Sequence, residues 1–130
     1  MLELNRLMAT RIVAKPQALD AFVAPVNALV LRFASDEMFI TPPLASVEGI
    51  TALDEYAIVI DECSFSGVWL SMDEALEHLP YHCEWELPTE RPTFVQGAVA
   101  GVPTKLWFGH DQVLLMVSSP FSAEMEERFV

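Results

Sequence analysis

Phe65-Ser66-Gly67-Val68-Trp69-Leu70-Ser71-Met72-Asp73-Glu74-Ala75-Leu76-Glu77-His78-Leu79 contains the join that decides the fold. Phe65 to Leu70 reads as a strand. Ser71 and Glu74 have the spacing of a capping box, in which the serine hydroxyl accepts the Glu74 amide and the Glu74 carboxylate reaches back. Asp73 and Glu74 also complement the positive end of the helix that follows. Ala75, Leu76 and Leu79 supply its apolar face, and Pro80 ends it. A strand that passes directly into a capped helix, with more strands on either side, points to an α+β fold.

Upstream, Asn27 to Ala34 is predicted as a strand. Ser35-Asp36-Glu37 forms a turn, Met38 to Thr41 returns, and Pro42-Pro43 stops the hairpin. Residues 44–54 read as a loop or a short turn of helix. The β-branched run Tyr56 to Ile60 reads as a strand, with Glu62-Cys63-Ser64 turning it into Phe65 to Leu70. Residues 1–25, interrupted by Pro16 and Pro25, read as a lead segment or arm, and residues 26–130 as one domain. Downstream, Cys83-Glu84-Trp85-Glu86-Leu87 alternates with strand period. Phe94 to Ala100, Thr104 to Phe108 and Gln112 to Ser118 form a meander, turning at Gly101-Val102-Pro103 and Gly109-His110-Asp111. Ser119 is expected to cap a last helix with Pro120 at its first position, reaching about Arg128. The expected architecture is thus α+β, a mainly antiparallel sheet with two capped helices.

Composition narrows the function. Apolar residues are 52% of the chain, above the usual share for a globular domain, so disorder is not expected, and the surplus implies either a large core or apolar surface covered by a partner. The net charge is −12, and the interval from Phe33 through Glu90 holds thirteen carboxylates and no Lys or Arg. Such a field repels phosphates and anionic lipid, which argues against nucleic-acid and membrane partners and toward a basic protein partner. Acidity also keeps an apolar chain in solution, and charge alone does not separate the two roles. No apolar run reaches the ~20 residues of a membrane span. The start Met1-Leu2-Glu3-Leu4-Asn5-Arg6 is not that of a signal peptide, and two cysteines are too few for a disulfide scaffold. A cytoplasmic location is expected.

Few constellations carry chemistry. His78, His82 and Cys83, with Cys63, are zinc-ligand types, but Pro80 interrupts the spacing and Cys-x-x-Cys is absent. Cys63 with His78 or His82 would be a nucleophile–base pair, yet Asp61 and Glu62 beside it oppose thiolate formation. Glu84 and Glu86 fall on the polar side of an alternating segment, and Glu124, Glu126 and Glu127 on a solvated helix face. The five glycines form no phosphate-binding loop. No catalytic, cofactor-binding or metal residue is therefore expected, no cofactor is expected to be bound by this chain alone, and no enzymatic activity is expected of it unaided. Trp69, Trp85, Trp107 and Phe94, all on predicted strands, are expected core residues or docking-surface candidates.

The order of these segments resembles the gamma subunit of heterotetrameric sarcosine oxidase, a relative of the aminomethyltransferase of the glycine cleavage system. The matching residues are Leu31-Arg32-Phe33-Ala34-Ser35-Asp36-Glu37-Met38-Phe39-Ile40, Ile58-Val59-Ile60-Asp61-Glu62-Cys63-Ser64 with Val68-Trp69-Leu70, and Glu74-Ala75-Leu76-Glu77-His78-Leu79. They continue with His82-Cys83-Glu84-Trp85-Glu86-Leu87 and with Gln96-Gly97 and Ala100-Gly101-Val102-Pro103 before Leu106-Trp107. Ser71-Met72 stands where that family has Gly-Pro. The resemblance implies a shortened relative with an aminomethyltransferase-like fold, packed as an accessory subunit against a larger catalytic oxidoreductase chain. The alternative it implies is an independent module binding a small folate- or amine-like ligand.

Overall fold

The structure is a computed structural model and describes residues 2–129. In chain order the elements are β1 (Asn5–Arg6), β2 (Ala9–Val13), α1 (Pro16–Ala21), β3 (Leu29–Ala34), β4 (Glu37–Thr41), α2 (Glu48–Thr51), β5 (Ile58–Glu62), β6 (Phe65–Ser71), α3 (Met72–His78), β7 (Thr93–Val99), β8 (Val102–Phe108), β9 (Gln112–Ser118) and α4 (Ser122–Arg128). Single turns of 3-10 helix at Leu79–Tyr81 and Ser119–Phe121 follow α3 and precede α4. This is an α+β protein whose strands pair antiparallel in two sheets. The chain divides into two compact units: Leu7–Cys63, and residues 2–6 with 64–129.

In the unit Leu7–Cys63 the sheet order is β3-β4-β2-β5. Residues paired across antiparallel strands share a face, so Ile12, opposite Met38 and Val59, defines one side. On it Ile12, Met38 and Ile40 pack with Ala18 and Leu19 of α1 and Ile50 of α2. Pro16 opens α1, where its fixed φ fits and no amide is wasted. The other side carries Leu31 and Phe39, both buried, with the Phe33 ring stacked on Phe39 at 5.1 Å. Arg11 lies between Glu37 (2.7 Å) and Glu62 (3.4 Å) on that side. Ile58 and Ile60 at the β5 edge are 59% and 45% exposed.

In the second unit the order is β1-β6-β9-β8-β7. Leu70, Val102, Leu106, Phe108, Val113, Leu115 and Val117 form a buried face with Ala75 and Leu79 after β6 and with Met125 and Phe129 at the chain's end. The β7–β8 hairpin turns on Ala100 and Gly101, with φ of 51° and 78°. Two positive φ values are those of a type I′ turn, whose twist matches the flanking strands. The turn thus sits one residue earlier than expected, and Val102 and Pro103 belong to β8.

Several expectations are corrected. Within the segment read as an arm, the described residues supply β2, an interior strand of one sheet, and β1, which pairs with β6 in the other. β5 and β6 form no hairpin: β5 pairs with β2 and β6 with β9, and the chain changes sheets at Cys63-Ser64. Two apolar runs separated by a pair of residues resemble a hairpin locally, but partner choice is settled by which faces can be buried. Residues 83–87 form no strand, although Cys83, Trp85 and Leu87 pack against the core while Glu84 and Glu86 stay exposed. Ser119 does not cap α4. Its hydroxyl meets that of Ser66 at 2.9 Å and its amide donates to the Ser64 carbonyl at 2.7 Å, fastening the paired ends of β6 and β9. Pro120 lies in the 3-10 turn, and α4 starts at Ser122 without a side-chain cap.

Candidate functional site

The register of the five-stranded sheet aligns three of the four expected docking residues. Phe94 pairs with Trp107, Trp107 with Leu114, and Leu114 with Trp69, so the four form one row across β7, β8, β9 and β6. The row lies on the face opposite Leu106 and Leu115, away from the helices. Trp69 and Trp107 meet edge to face across Leu114, centroids 5.8 Å apart at 84°. This is a favoured geometry for aromatic pairs. Leu114 is completely covered, whereas Trp69 remains 45% exposed. Trp85 is not part of this row. Its indole N–H donates to the Ala98 carbonyl at 2.8 Å and its ring lies against Gly97, where a Cβ would come within 2.8 Å of it.

A cleft of about 300 Å³ opens beside Trp69 within the same unit. Val68, Trp69 and Leu70 of β6 form one wall, Glu74 and His78 of α3 another, and Leu2, Glu3 and Phe129 complete it. The strand-to-helix join places Glu74 here. The Ser71 hydroxyl accepts the Glu74 amide at 3.1 Å and donates to Oε1 of Glu74 at 3.0 Å, and the Ser71 amide donates to the same oxygen at 3.4 Å. The predicted capping box is thus complete. Both bonds use Oε1, and Oε2 takes none among the described residues. His78 follows one turn later on the same face of α3. The cleft therefore combines two carboxylates and an imidazole with an apolar floor, while the Trp69 indole turns to the opposite face beside Trp107. A second, open cleft of about 400 Å³ is lined by residues that include Phe65, Gln96, Lys105 and Met116. Lys105 donates there to Gln96 at 2.5 Å and stands 5.8 Å from the Phe65 centroid.

His82 and His78 lean on the Phe129 ring, with centroids 4.7 and 6.3 Å away. Cys83 is half-buried, and burial pushes its thiol above the ordinary value, which opposes thiolate formation. Cys63 is exposed and belongs to the other unit. Among the described residues no three His, Cys, Asp or Glu side chains converge to hold a metal ion, and no helix is long and apolar enough to cross a membrane.

Two residues went unnoticed in the sequence. Glu3 lies in a segment read as an arm, and Phe129 contributes to the cleft only because the C-terminal helix packs beside α3. Glu74 was legible as a capping residue, but not as a cleft wall. Asp54, also unremarked, accepts the amides of Lys15 at 3.0 Å and Tyr56 at 2.9 Å. Those two bonds hold its carboxyl below the ordinary value. It ties the start of α1 to the approach to β5.

Fold and site define an α+β protein of two antiparallel sheets, each with helices on one face and one bearing a cleft lined by Glu3, Glu74 and His78. In comparisons with known proteins, no family model and no curated protein matches this chain.

Proposed function

We propose that this chain is a non-catalytic accessory subunit of a heteromeric amine or N-methyl-amino-acid oxidoreductase of the sarcosine oxidase type, working in the cytoplasm. The observation that carries the reading is exposed apolar surface on an acidic chain. Trp69, Ile58 and Ile60 stand in solvent, and the interval from Phe33 through Glu90 holds thirteen carboxylates without a Lys or Arg. Apolar side chains exposed on strands supply burial energy to an interface, and a one-signed field steers a basic partner toward it. The segment-by-segment resemblance to a gamma subunit gives the partner its class, by analogy of fold order.

The test is affinity purification of the tagged chain from its native cells, followed by mass spectrometry and an amine oxidase assay. A stoichiometric complex with a larger flavin-containing chain, active while the isolated chain is inactive, is expected. A monomer that recovers no such chain removes the reading.

The cleft beside Trp69 favours a second reading, an independent module for a small folate- or amine-like ligand. Pockets of this kind join apolar walls to a few convergent polar groups, and here Val68, Leu70 and Phe129 stand with Glu3 and Glu74. Calorimetric titration with folates and with simple amines tests it, and no heat from either class counts against it.

A further inference from the structure

We infer that the free edge of β5 takes up an extended segment of a basic partner protein as an added strand, which deepens the accessory-subunit reading by giving the partner's contact its form. The four sheet edges differ in how they are guarded. β1 is two residues long. β3 bends at a bulge between Arg32 and Ala34, and the Arg32 guanidinium donates to the Ala34 and Ser35 carbonyls at 3.2 and 2.6 Å. β7 has residues 82–85 along it: the Trp85 indole donates to the Ala98 carbonyl and the Ala100 amide to the His82 carbonyl, both at 2.8 Å. Shortness, bulges, basic side chains and covering segments are devices that keep sheet edges from pairing. β5 has none of these. Its five residues pair with β2 without a break, and it holds no proline, lysine or arginine.

The outer side of the β5 main chain is open. The Ala14 amide donates to the Asp36 carbonyl at 3.0 Å, so Ile12 and every second residue of β2 turn toward β4, while Arg11 and Val13 turn toward β5. Ile60 and Ile58 lie opposite Arg11 and Val13 and bond to them. The N–H and C=O of Val59 and Asp61 therefore point away from the sheet, with no hydrogen-bond partner among the described residues. A strand added there would bond to those two residues and meet Ile58 and Ile60 in the non-hydrogen-bonded pairs, where side chains come closest. The two isoleucines are 59% and 45% exposed, so that face of the added strand is matched by apolar side chains. On the other face the added strand meets Asp61, which is exposed and in no ion pair among the described residues. Charge then picks the occupant. Two copies of this chain, each at −12, would set Asp61 near its own counterpart, whereas a lysine or arginine across from Asp61 is attracted.

The test titrates the isotope-labelled full chain by NMR with three short blocked peptides: one alternating valine with lysine, one alternating valine with glutamate, and the lysine peptide with alternate amides methylated. The lysine peptide should shift the amides of Val59 and Asp61 most and slow their hydrogen exchange. The glutamate peptide should bind roughly tenfold more weakly, and the methylated one, its donors blocked, should not bind. Asp61→Asn should weaken the lysine peptide about two- to fivefold. Asp61→Pro removes an N–H that bonds nothing in the chain, at an edge position where a sheet tolerates proline. It should abolish binding with circular dichroism unchanged. Equal affinity for the lysine and glutamate peptides overturns the basic partner. Shifts centred away from β5, or unchanged binding in Asp61→Pro, overturn the edge as the docking surface. A chain that sediments as a dimer, and as a monomer once Asp61→Pro is made, gives the edge to a second copy and overturns the partner strand. Silence from all three peptides overturns the added strand altogether, whereas the accessory-subunit reading falls only if affinity purification recovers no larger chain.

Discussion

In the β3-β4-β2-β5 sheet the covering helices are six and four residues long, and neither has a side-chain cap. In the β1-β6-β9-β8-β7 sheet α3 carries a complete capping box, and β6 to β9 are seven residues each. The cores differ accordingly. Seven buried apolar residues cluster under α1 and α2, and thirteen under α3 and α4, among the described residues. The smaller unit also carries polar ties: Arg11 with Glu37 and Glu62, Arg32 with Asp20 (3.0 Å), and Asp54 on two backbone amides. The comparison teaches that both units rest on apolar burial, shallower in the smaller one, to which its polar contacts are an addition of at most about 1 kcal/mol per exposed ion pair.

The largest effect expected is that of Phe108→Ala. Phe108 is wholly buried among Leu106, Val113 and Leu115, and the Arg91 guanidinium lies 4.8 Å from its ring centre. The loss should be about 3–5 kcal/mol, read as a shifted urea midpoint. A loss no larger than that of a surface change would show that this unit does not depend on its core. Gly97→Ala comes next, at about 1–3 kcal/mol, because the new methyl would enter the Trp85 ring. Trp85→Ala in the same background should relieve the clash, so the two substitutions should be markedly non-additive.

Ser71→Ala removes the cap of α3 and should cost about 1 kcal/mol. Ser71→Asp should recover most of it, which a purely steric account would not predict. Asp54→Asn is next in order and sharpens the comparison through pH. The native carboxyl titrates below its ordinary value of 3.8, so in that range the unfolded chain binds more protons than the folded one. The stability that Asp54 supplies is therefore present above the ordinary value and lost as pH falls through the native one. Denaturant titrations should show the parent more stable than Asp54→Asn at neutral pH, with the gap closing in acid. A gap independent of pH would mean the amides bind the side chain without regard to its charge. Ile60→Thr, on exposed β5, should change stability by no more than about 0.5 kcal/mol. A larger loss would show that the edge of the smaller sheet contributes to its fold.

Much of the local structure was legible. The capping box was read from Ser71 and Glu74, the first hairpin from Ser35-Asp36, and the last three strands from their apolar runs. The inward side of 83–87 was read correctly from alternation, but the strand was not: no backbone ladder forms here, and it is the indole N–H of Trp85, not a main-chain amide, that reaches the Ala98 carbonyl. Of the docking candidates, the row of Phe94, Trp107 and Trp69 exists only through the register of four strands. Nothing near Trp85 in sequence says that it lies on the opposite face, although Gly97 inside a strand signals a close approach. The acidic wall of the cleft was half visible as a helix cap.

Sequence alone determined what depends on a few neighbouring residues: the Ser71–Glu74 cap, the Ser35-Asp36 turn, the inward side of residues 83–87, and an antiparallel α+β character. These follow from hydrogen bonds and sterics that close within four or five positions. Only tertiary structure decided which strand lies beside which, that residues 2–6 and 9–13 join different sheets, and that Glu3, Trp69, Glu74 and Phe129 surround one cleft. An edge of backbone amides and carbonyls accepts any strand of matching pleat. The choice among partners is settled by the burial of whole faces, a property of the assembled chain that no short window of sequence contains.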